Sequence, residues 1–226
     1  MKTFDFFDKY LIARNAKKQI AIYMETEEYP RCLHLGCGNN LLPGWLNTDI
    51  IVPIKGEKIY LDAVKTYPFP DDSFDYIFSE HMLEHLLLKD AVCMLLECKR
   101  VLKDNGVIRI TIPDMKFLLD MYLYPEKYEE YLKWSTKRFL PEVEELFPGK
   151  YPEVFVINNF YRDWGHQVIY DYKTLEMLLY KCGYKNVVKC EVGNSDHMVL
   201  QGIEKHDDVN YPGLTKIESM VVEASC

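Results

Sequence analysis

The chain has 226 residues and a net charge of −8, and 48% of its residues are hydrophobic. This length and apolar content predict one large globular domain with a sizeable core. The negative charge argues against a nucleic-acid partner, because a protein that displaces counterions from phosphates needs a basic surface. The composition is compatible with a small neutral or cationic ligand, or with solubility alone.

The seven cysteines show neither a disulfide framework nor a zinc-binding spacing, because their number is odd and no Cys-x-x-Cys pair occurs. No group of acidic residues has the spacing of an obligatory magnesium site, so we expect no metal. Acidic residues precede any apolar stretch at the N-terminus, and no run of eighteen apolar residues could span a membrane. We therefore expect a cytoplasmic protein with reduced thiols.

Hydrophobic patterns predict an alternation of strands and helices along most of the chain. In chain order they predict a helix at 5–24, strands at 31–36 and 45–50 with only a short helical stretch between them, a strand at 74–80, a long helix at 81–106 that stops at Gly106, a strand at 107–113, a helix at 170–184 that ends at Gly183, and strands at 186–192 and 197–203. This alternation is typical of an α/β fold with a mostly parallel sheet and helices on both faces. The last two strands follow one another without a helix, which predicts an antiparallel edge hairpin.

One aromatic-rich segment interrupts the alternation, since residues 115–165 lie where a simple α/β unit needs only one helix. This insert is expected to be helical, with its own small core, and its position favours a role as a cap over a ligand pocket. We expect a single domain over residues 1–226. Its parts are an N-terminal helical lead-in (1–29), a ligand-binding half (30–114), the insert (115–165), a C-terminal helix with edge strands (166–204) and a partly ordered tail (205–226).

A glycine pair joins the first two predicted strands in the segment RCLHLGCGNNLLPGWLNTDI, residues 31–50. Gly36 and Gly38 let the backbone turn sharply and allow a ligand to approach the main chain. Asp49, at the tip of the second strand, can accept hydrogen bonds from both hydroxyls of a ribose. These positions predict a site for an adenosine-containing cofactor at the carboxyl ends of the strands. Leu41 stands where dinucleotide-binding folds have a third glycine, which disfavours a pyrophosphate.

Four stretches of sequence carry a family resemblance. They are HLGCGNN with PGWLNTDI, FPDDSFDYIFSEHMLEHL, VLKDNGVIRITIPD and DWGHQVIYDYKTLEMLLYKCGY. In this order and at this spacing they resemble the motifs of class I S-adenosylmethionine-dependent methyltransferases, and most of all the small bacterial type 11 branch. The resemblance covers residues 30–114 and 163–203. It implies a Rossmann-like doubly wound sheet, S-adenosyl-L-methionine as methyl donor and S-adenosyl-L-homocysteine as product.

The resemblance also implies roles for the residues that match the family motifs. The glycine loop, which passes under the methionine part of the donor, is matched by Leu35, Gly36, Cys37 and Gly38, and the ribose-binding acid by Asp49. The positions for the adenine are Ile50, Asp62 and Ala63. The positions for the amino acid end of the donor are Ser79, Glu80 and His81.

Histidines are the natural candidates for the base that methyl transfer to a hydroxyl requires, because they titrate near neutrality. His166 with Asp163, in the loop YRDWGHQ, is the predicted acid/base pair, and Asp114 is the alternative to it. A purely structural loop, with a salt bridge and a buried tryptophan, stays open as well. His81 is expected either to contact the donor or to act as a base. His85 is expected to pack or to hydrogen-bond near a helix start.

The combined prediction is a methyltransferase that acts on a small-molecule or glycan acceptor, through a hydroxyl, with the insert as acceptor cap. One alternative is a non-catalytic module of the same fold that binds an adenosyl ligand. The other is a nicotinamide-dependent oxidoreductase, which the missing third glycine and the lack of a Tyr-x-x-x-Lys pair disfavour. The sequence leaves homodimer formation open.

Overall fold

A seven-stranded sheet forms the centre of the computed structural model, which describes residues 6–26, 30–53, 56, 58–207 and 209–226. The strands are β1 (Cys32–Leu35), β2 (Leu46–Asp49), β3 (Ile59–Tyr60), β4 (Phe74–Glu80), β5 (Leu102–Pro113), β6 (Lys185–Cys190) and β7 (Ser219–Ser225). Their order across the sheet is β3-β2-β1-β4-β5-β7-β6. Strands β1 to β5 run parallel, and β7 is antiparallel to both of its neighbours. This arrangement confirms the predicted α/β fold with a mostly parallel sheet and antiparallel edge strands.

Helices pack against the sheet and build the insert. They are α1 (Phe6–Glu25), α2 (Leu88–Val101), α3 (Met115–Leu123), α4 (Glu129–Phe139), α5 (Pro141–Leu146), α6 (Glu153–Arg162), α7 (Tyr172–Lys181) and α8 (Leu214–Glu218), with short 3-10 turns at Leu83–His85, Pro125–Lys127 and Met198–Leu200. Side-chain caps fix two of the helix starts: Asp114 accepts from Lys116 N, and Asp171 accepts from Thr174 N. No helix of the described ranges is both long and apolar enough to cross a lipid bilayer.

The strand order reverses between β1 and β4, which lie side by side at the centre of the sheet. Leu35, at the end of β1, is paired with Thr48 of β2 on one side and with Ser79 of β4 on the other. The chain leaves these neighbouring strand ends in opposite directions. Such a point in a parallel sheet opens a crevice in which ligands bind.

The two faces of the central strands are covered differently. Ile77 and Ile108 face the main core, which also contains apolar residues of α1, α2 and α7. Because side chains alternate along a strand, Phe78 and Val107 face the other side, where Leu42 and the turn Met198–Leu200 cover them. The prediction of helices on both faces is therefore wrong at these strands. The connection 36–45 contains no helix and is too short for a crossover helix.

Four further expectations on local structure are wrong. The long helix predicted over 81–106 spans only Leu88–Val101, because a 3-10 turn at Leu83–His85 precedes it and the chain enters β5 at Leu102. Asn105 adopts φ 64° where the pairing of β5 with β4 shifts register. The strand predicted at 197–203 is a 3-10 turn followed by extended chain. The tail, expected to be partly ordered, contains α8 and β7, and β7 pairs with β5 from Val107 to Pro113. The antiparallel edge is thus made by β6 and β7 and is not a hairpin.

The expectations for the N-terminal helix and for the insert agree with the fold. The predicted N-terminal helix is α1, and residues 1–5 and 27–29 of the lead-in lie outside the described residues. The insert is helical and has its own core, which includes Phe117, Leu132, Val156 and Phe160. Aromatic rings in this core meet edge to face, as Phe117 does with Tyr131 at 5.0 Å.

Candidate active site

A cavity of about 820 Å³ opens at the carboxyl ends of β1, β4 and β5. Residues 36–41, which follow β1, and Glu80 and His81 at the end of β4 form part of its lining. Aromatic side chains of the insert and of the loop behind it form another wall, and residues of the C-terminal segment complete the cavity. The aromatic residues are Tyr131, Trp134, Phe139, Phe160 and Trp164.

The loop between β1 and β2 is folded against the tip of β2. Gly36 and Gly38 have positive φ values of 62° and 52°, and a Cβ on Gly36 would lie 2.6 Å from Cγ of Met82. The N–H of Gly38 donates to Oδ2 of Asp49 at 2.8 Å, and Oδ1 of Asp49 accepts from the N–H of Ile51 at 2.7 Å. The glycine pair and the strand-tip acid, which lie eleven residues apart from Gly38 to Asp49, are thus in direct contact.

The predicted donor-binding residues divide into two groups. Gly36, Cys37, Gly38, Glu80 and His81 line the cavity, whereas Leu35, Asp49, Ile50, Asp62, Ala63 and Ser79 do not. In the second group, Ile50 is 59% exposed beside Asp49, and Asp62 accepts from the N–H of Val64 at 3.2 Å. Burial raises the pKa of the Cys37 thiol to about 11, so this cysteine stays protonated at neutral pH.

Glu80 links the end of β4 to the C-terminal segment. Its carboxylate accepts from the backbone N–H groups of Lys205 and His206 at 2.9 and 3.2 Å. Burial, together with the nearby charge of Glu204, raises the pKa of Glu80 to about 7, although these hydrogen bonds act in the opposite direction. Residues 205 and 206 are thereby held at the edge of the cavity.

His81 occupies a constrained position at the start of the turn that follows β4. Its φ is 46°, its Nε2 lies 2.9 Å from Oγ of Ser219, and its Nδ1 lies 3.2 Å from Oε1 of Glu84. The ring stacks on the ring of His206 with centroids 3.5 Å apart. Burial lowers the pKa of His81 to about 3, so its imidazole is neutral at physiological pH.

His166 lines the cavity, but its predicted partner does not meet it. Its Nδ1 lies 2.7 Å from the carbonyl oxygen of Phe160, and because a carbonyl only accepts, Nδ1 carries the proton. Asp163 is exposed and contacts His166 only through the backbone, with its carbonyl 3.3 Å from the histidine N–H. The acidic side chain near His166 is Glu84. The expected pairing of the two side chains is therefore wrong.

The alternative acid, Asp114, has a structural role in this arrangement. It caps α3 and forms an ion pair with Lys189 at 2.9 Å. It does not line the cavity that contains His166.

Sequence reasoning missed three acidic or basic groups at the site: Glu84, His206 and Glu218. Burial raises the pKa values of Glu84 and Glu218 to about 7. Glu218 accepts from the hydroxyl of Tyr131 at 2.9 Å and lies 3.6 Å from Nε2 of His206. Signals for these groups existed, namely the β-branched run in SMVVEAS that forms β7 and the His-x-x-x-His spacing of HMLEH around Glu84.

Comparisons with known proteins agree with this geometry. Residues 52–110 match a family model described as a methyltransferase domain. A methyltransferase from Archaeoglobus fulgidus that depends on S-adenosylmethionine superposes with a TM-score of 0.50 and 14% identity, over 97% of this chain and 94% of that chain. The fold is that of an S-adenosylmethionine-dependent methyltransferase. The family model supports a methyltransferase domain, the superposition supports the fold alone, and neither singles out a bacterial branch.

Two further matches are more limited. An uncharacterized methyltransferase of Schizosaccharomyces pombe is 37% identical over 81 residues, which are 34% of this chain. The chain spans 27% of the length of that curated relative. Phosphoethanolamine N-methyltransferase 2 of Haemonchus contortus, solved in complex with S-adenosyl-L-methionine, has a TM-score of 0.47 and 14% identity, over 94% of this chain and 52% of that chain.

Proposed function

We propose that this protein is an S-adenosylmethionine-dependent methyltransferase that acts on a hydroxyl of a small molecule or glycan. The observation that carries the proposal is the junction of two surfaces in one cavity. The glycine loop, closed on Asp49, borders it on the side of β1, and aromatic rings of the insert border it on another. A donor and an acceptor bound to these surfaces meet at the carboxyl ends of β1 and β4.

The glycine loop and the tip of β2 are proposed to bind the donor. Each oxygen of Asp49 accepts one backbone N–H, and since a carboxylate has about four acceptor sites, the ribose hydroxyls can bind to the sites that remain. Ile50 presents an apolar side chain next to this acid, as the adenine ring requires. Asp62 and Ala63 are proposed to border the adenine edge.

The amino acid end of the donor is proposed to lie beside Ser79, Glu80 and His81. The carboxylate of Glu80 is partly withdrawn from water, which favours its protonated form. A bound ammonium group would reverse this preference, because an opposite charge stabilises the carboxylate. The neutral ring of His81 offers no competing positive charge.

The insert is proposed to cap the acceptor. Trp134 and Trp164 both lie edge to face with Phe139, at 5.4 and 5.1 Å, and all three rings line the cavity. Trp164 is 45% exposed, and its backbone has a positive φ of 56°, a conformation that is rare for residues other than glycine. Exposed aromatic faces of this kind suit stacking on sugars or flat metabolites.

His166 is proposed as the side chain that meets the acceptor hydroxyl. Methyl transfer from a sulfonium requires the acceptor oxygen to be aligned with the methyl group and to lose its proton. Because Nδ1 donates to Phe160, the ring presents its lone pair at Nε2. The nearby carboxyl group of Glu84 replaces Asp163 as the acidic partner.

The direct test is formation of labelled product from methyl-labelled S-adenosylmethionine with a panel of acceptors. The panel contains glycosides, polyols and phenols, and protein and RNA serve as alternative acceptors. We expect label in a hydroxyl-bearing small molecule, and we expect Trp164→Ala to raise the KM for that acceptor without changing donor affinity. Label only in protein or RNA would contradict the acceptor class. Donor binding without product on any acceptor would favour the non-catalytic binding module.

A further inference from the structure

Three metal-donor side chains converge at the wall of the cavity: Glu84, His85 and His166. One carboxylate oxygen and one ring nitrogen of each histidine all lie within 4.8 Å of one another. Glu84 and His85 belong to the turn after β4, and His166 belongs to the loop after α6. Backbone hydrogen bonds join the two segments, since the carbonyl of Glu84 accepts from the N–H groups of residues 167 and 168 at 2.7 and 3.2 Å.

The carboxylate of Glu84 lacks the partners that its burial requires. Its side chain is 0% exposed, and neither carboxylate oxygen has a hydrogen-bond partner among the described residues. The Nδ1 atom of His81 lies 3.2 Å from Oε1, but its imidazole is neutral and supplies no full positive charge. Buried carboxylates are normally hydrogen-bonded, paired with a full positive charge or bound to a metal. Glu84 therefore faces the cluster with unused ligand capacity.

His166 has the hydrogen bond that commonly orients a metal-binding histidine. Its Nδ1–H donates to the carbonyl oxygen of Phe160 at 2.7 Å, which fixes the tautomer and leaves the lone pair on Nε2. The ring of His85 lies 4.8 Å from that of His166 at an angle of 68°. Two rings inclined in this way can direct their in-plane lone pairs at one point.

A second group of donors, His81, His206 and Glu218, is less suited to a shared ion. Their donor atoms also lie within 4.8 Å of one another. However, the rings of His81 and His206 are stacked at 3.5 Å and are parallel to within 10°. The lone pairs of parallel stacked rings run side by side, so both rings cannot bind one ion without turning. Nε2 of His81 is also occupied by Ser219.

We propose that Glu84, His85 and His166 bind a divalent transition metal of the zinc class, with coordination positions left open towards the cavity. Two imidazoles and one carboxylate suit zinc, iron or cobalt and do not suit magnesium, which prefers oxygen ligands. The site departs from our expectation of no metal, which considered only ligands close together in the sequence. His85 and His166 both line the cavity, so the ion is accessible from it.

A role for the ion in catalysis rests on the proposed function, whereas its binding does not. An acceptor hydroxyl bound at an open position would lose its proton more readily, because a bound divalent ion lowers the pKa of its oxygen ligands. His166 would then act on the acceptor through the ion. Glu84 would bind the ion, and His81, whose Nδ1 lies 3.2 Å from Oε1, would orient the Glu84 carboxylate.

Metal titration of the full chain, prepared without an affinity tag and stripped with a chelator, tests the site directly. Cobalt(II) is the probe, because its visible absorption reports low-symmetry nitrogen and oxygen ligation, and zinc is then added as a competitor. We expect one equivalent of cobalt to give an absorption band that zinc removes. Loss of the hydrogen-bond partner of a metal ligand typically weakens metal binding roughly 10–100-fold. His85→Gln removes a ligand itself, so it should weaken zinc binding by more than this.

His206→Gln and His197→Gln are the matched controls, and both should retain the cobalt band. His197 is a half-buried histidine that contacts Tyr76 outside the cavity. Circular dichroism checks that each variant is folded, and His166→Ala provides a second ligand variant. Absence of cobalt and zinc binding in the wild-type protein overturns the proposal, as does a band that His206→Gln removes and His85→Gln preserves. The titration contains neither donor nor acceptor, so failure here leaves the proposed methyl transfer standing.

Discussion

The backbone N–H of Gly38 donates a 2.8 Å hydrogen bond to Oδ2 of Asp49. This bond joins the loop after β1 to the tip of β2 and holds the glycine pair in its positive-φ conformation next to the cavity. The carbonyl of Gly38 in turn accepts from Nζ of Lys58 at 2.7 Å. These two hydrogen bonds fix the conformation of the loop that we propose binds the donor, and a loop held in one conformation has a lower ordering cost on binding.

Replacement of Asp49 is expected to weaken donor binding. Asp49→Ala removes the acceptor for two backbone N–H groups and for the ribose hydroxyls, and should cost about 1–3 kcal/mol of binding free energy for S-adenosylhomocysteine. Isothermal titration calorimetry measures this loss, and circular dichroism should show an unchanged fold. Asp71→Asn is the matched control, since Asp71 is an exposed acid that contacts Arg100 away from the cavity. Unchanged affinity in Asp49→Ala would refute the ribose assignment.

Replacement of His166 is expected to impair turnover far more than donor affinity. Loss of the group that prepares the acceptor oxygen should lower kcat by about 10²–10⁴-fold, with the Kd of the donor nearly unchanged. Asp163→Asn should behave like the wild-type protein, because the Asp163 carboxylate does not meet the imidazole. Steady-state kinetics on both variants separates the two residues. Equal losses in kcat and in donor affinity would make His166 a donor-binding residue.

Arg109 is expected to be essential for stability. It is 0% exposed, and its guanidinium contacts Glu204 at 2.6 Å and Glu223 at 2.5 Å. Removing one partner from a buried ion network leaves the others uncompensated, so Arg109→Met should lower the free energy of unfolding by about 3–5 kcal/mol. Urea denaturation gives this value. Lys103→Met is the control, because its ion pair with Asp75 is partly exposed and should contribute little to stability. If Arg109→Met loses no more stability than this control, the buried ion network is not essential for stability.

Glu80 is expected to make stability depend on pH in the absence of donor. Its pKa is about 7 in the folded protein, against an ordinary value of 4.5, so the folded state retains a proton that the unfolded state releases between these pH values. The free energy of unfolding therefore falls as pH rises through this window. Glu80→Gln removes this penalty and should be more stable than the wild-type protein at pH 8, by at most about 3 kcal/mol, and equally stable near pH 4.5.

The comparison of Glu80→Gln with the wild-type protein controls for the other acidic groups. Glu84 and Glu218, whose pKa values are also raised by burial, are present in both proteins, so their titration cancels in the difference. Thermal melting of both proteins across the pH range measures this difference. A difference that stays constant with pH would show that Glu80 titrates normally.

Local patterns in the sequence were sufficient to predict four of the parallel strands and the loop after β1. The apolar runs of β1, β2, β4 and β5 are strands buried on at least one face, and the glycine pair at the end of β1 forms the expected tight loop. Each of these features depends on residues that are neighbours in the chain. Hydrophobic patterns record such short-range requirements directly.

The wall of the cavity opposite the loop after β1 depends on long-range contacts that such patterns do not record. Strand β7 inserts between β5 and β6, although 28 residues separate it from the end of β6. This insertion brings His206 and Glu218 to the cavity and places Ser219 against His81. Similarly, the backbone of the loop after α6 directs Asp163 to solvent and His166 towards Glu84. Adjacency in YRDWGHQ could not show which side chains meet.

Thermal melting of the wild-type protein with S-adenosylmethionine, S-adenosylhomocysteine or NADH tests the proposed methyl-donor site. A ligand at about one hundred times its Kd adds roughly 2.7 kcal/mol to the free energy of unfolding, which raises Tm by several degrees. We predict that both adenosyl sulfur compounds raise Tm and that NADH does not. A rise with NADH alone, or no rise with any of the three, would contradict the assignment of the glycine loop and Asp49 to a methyl donor.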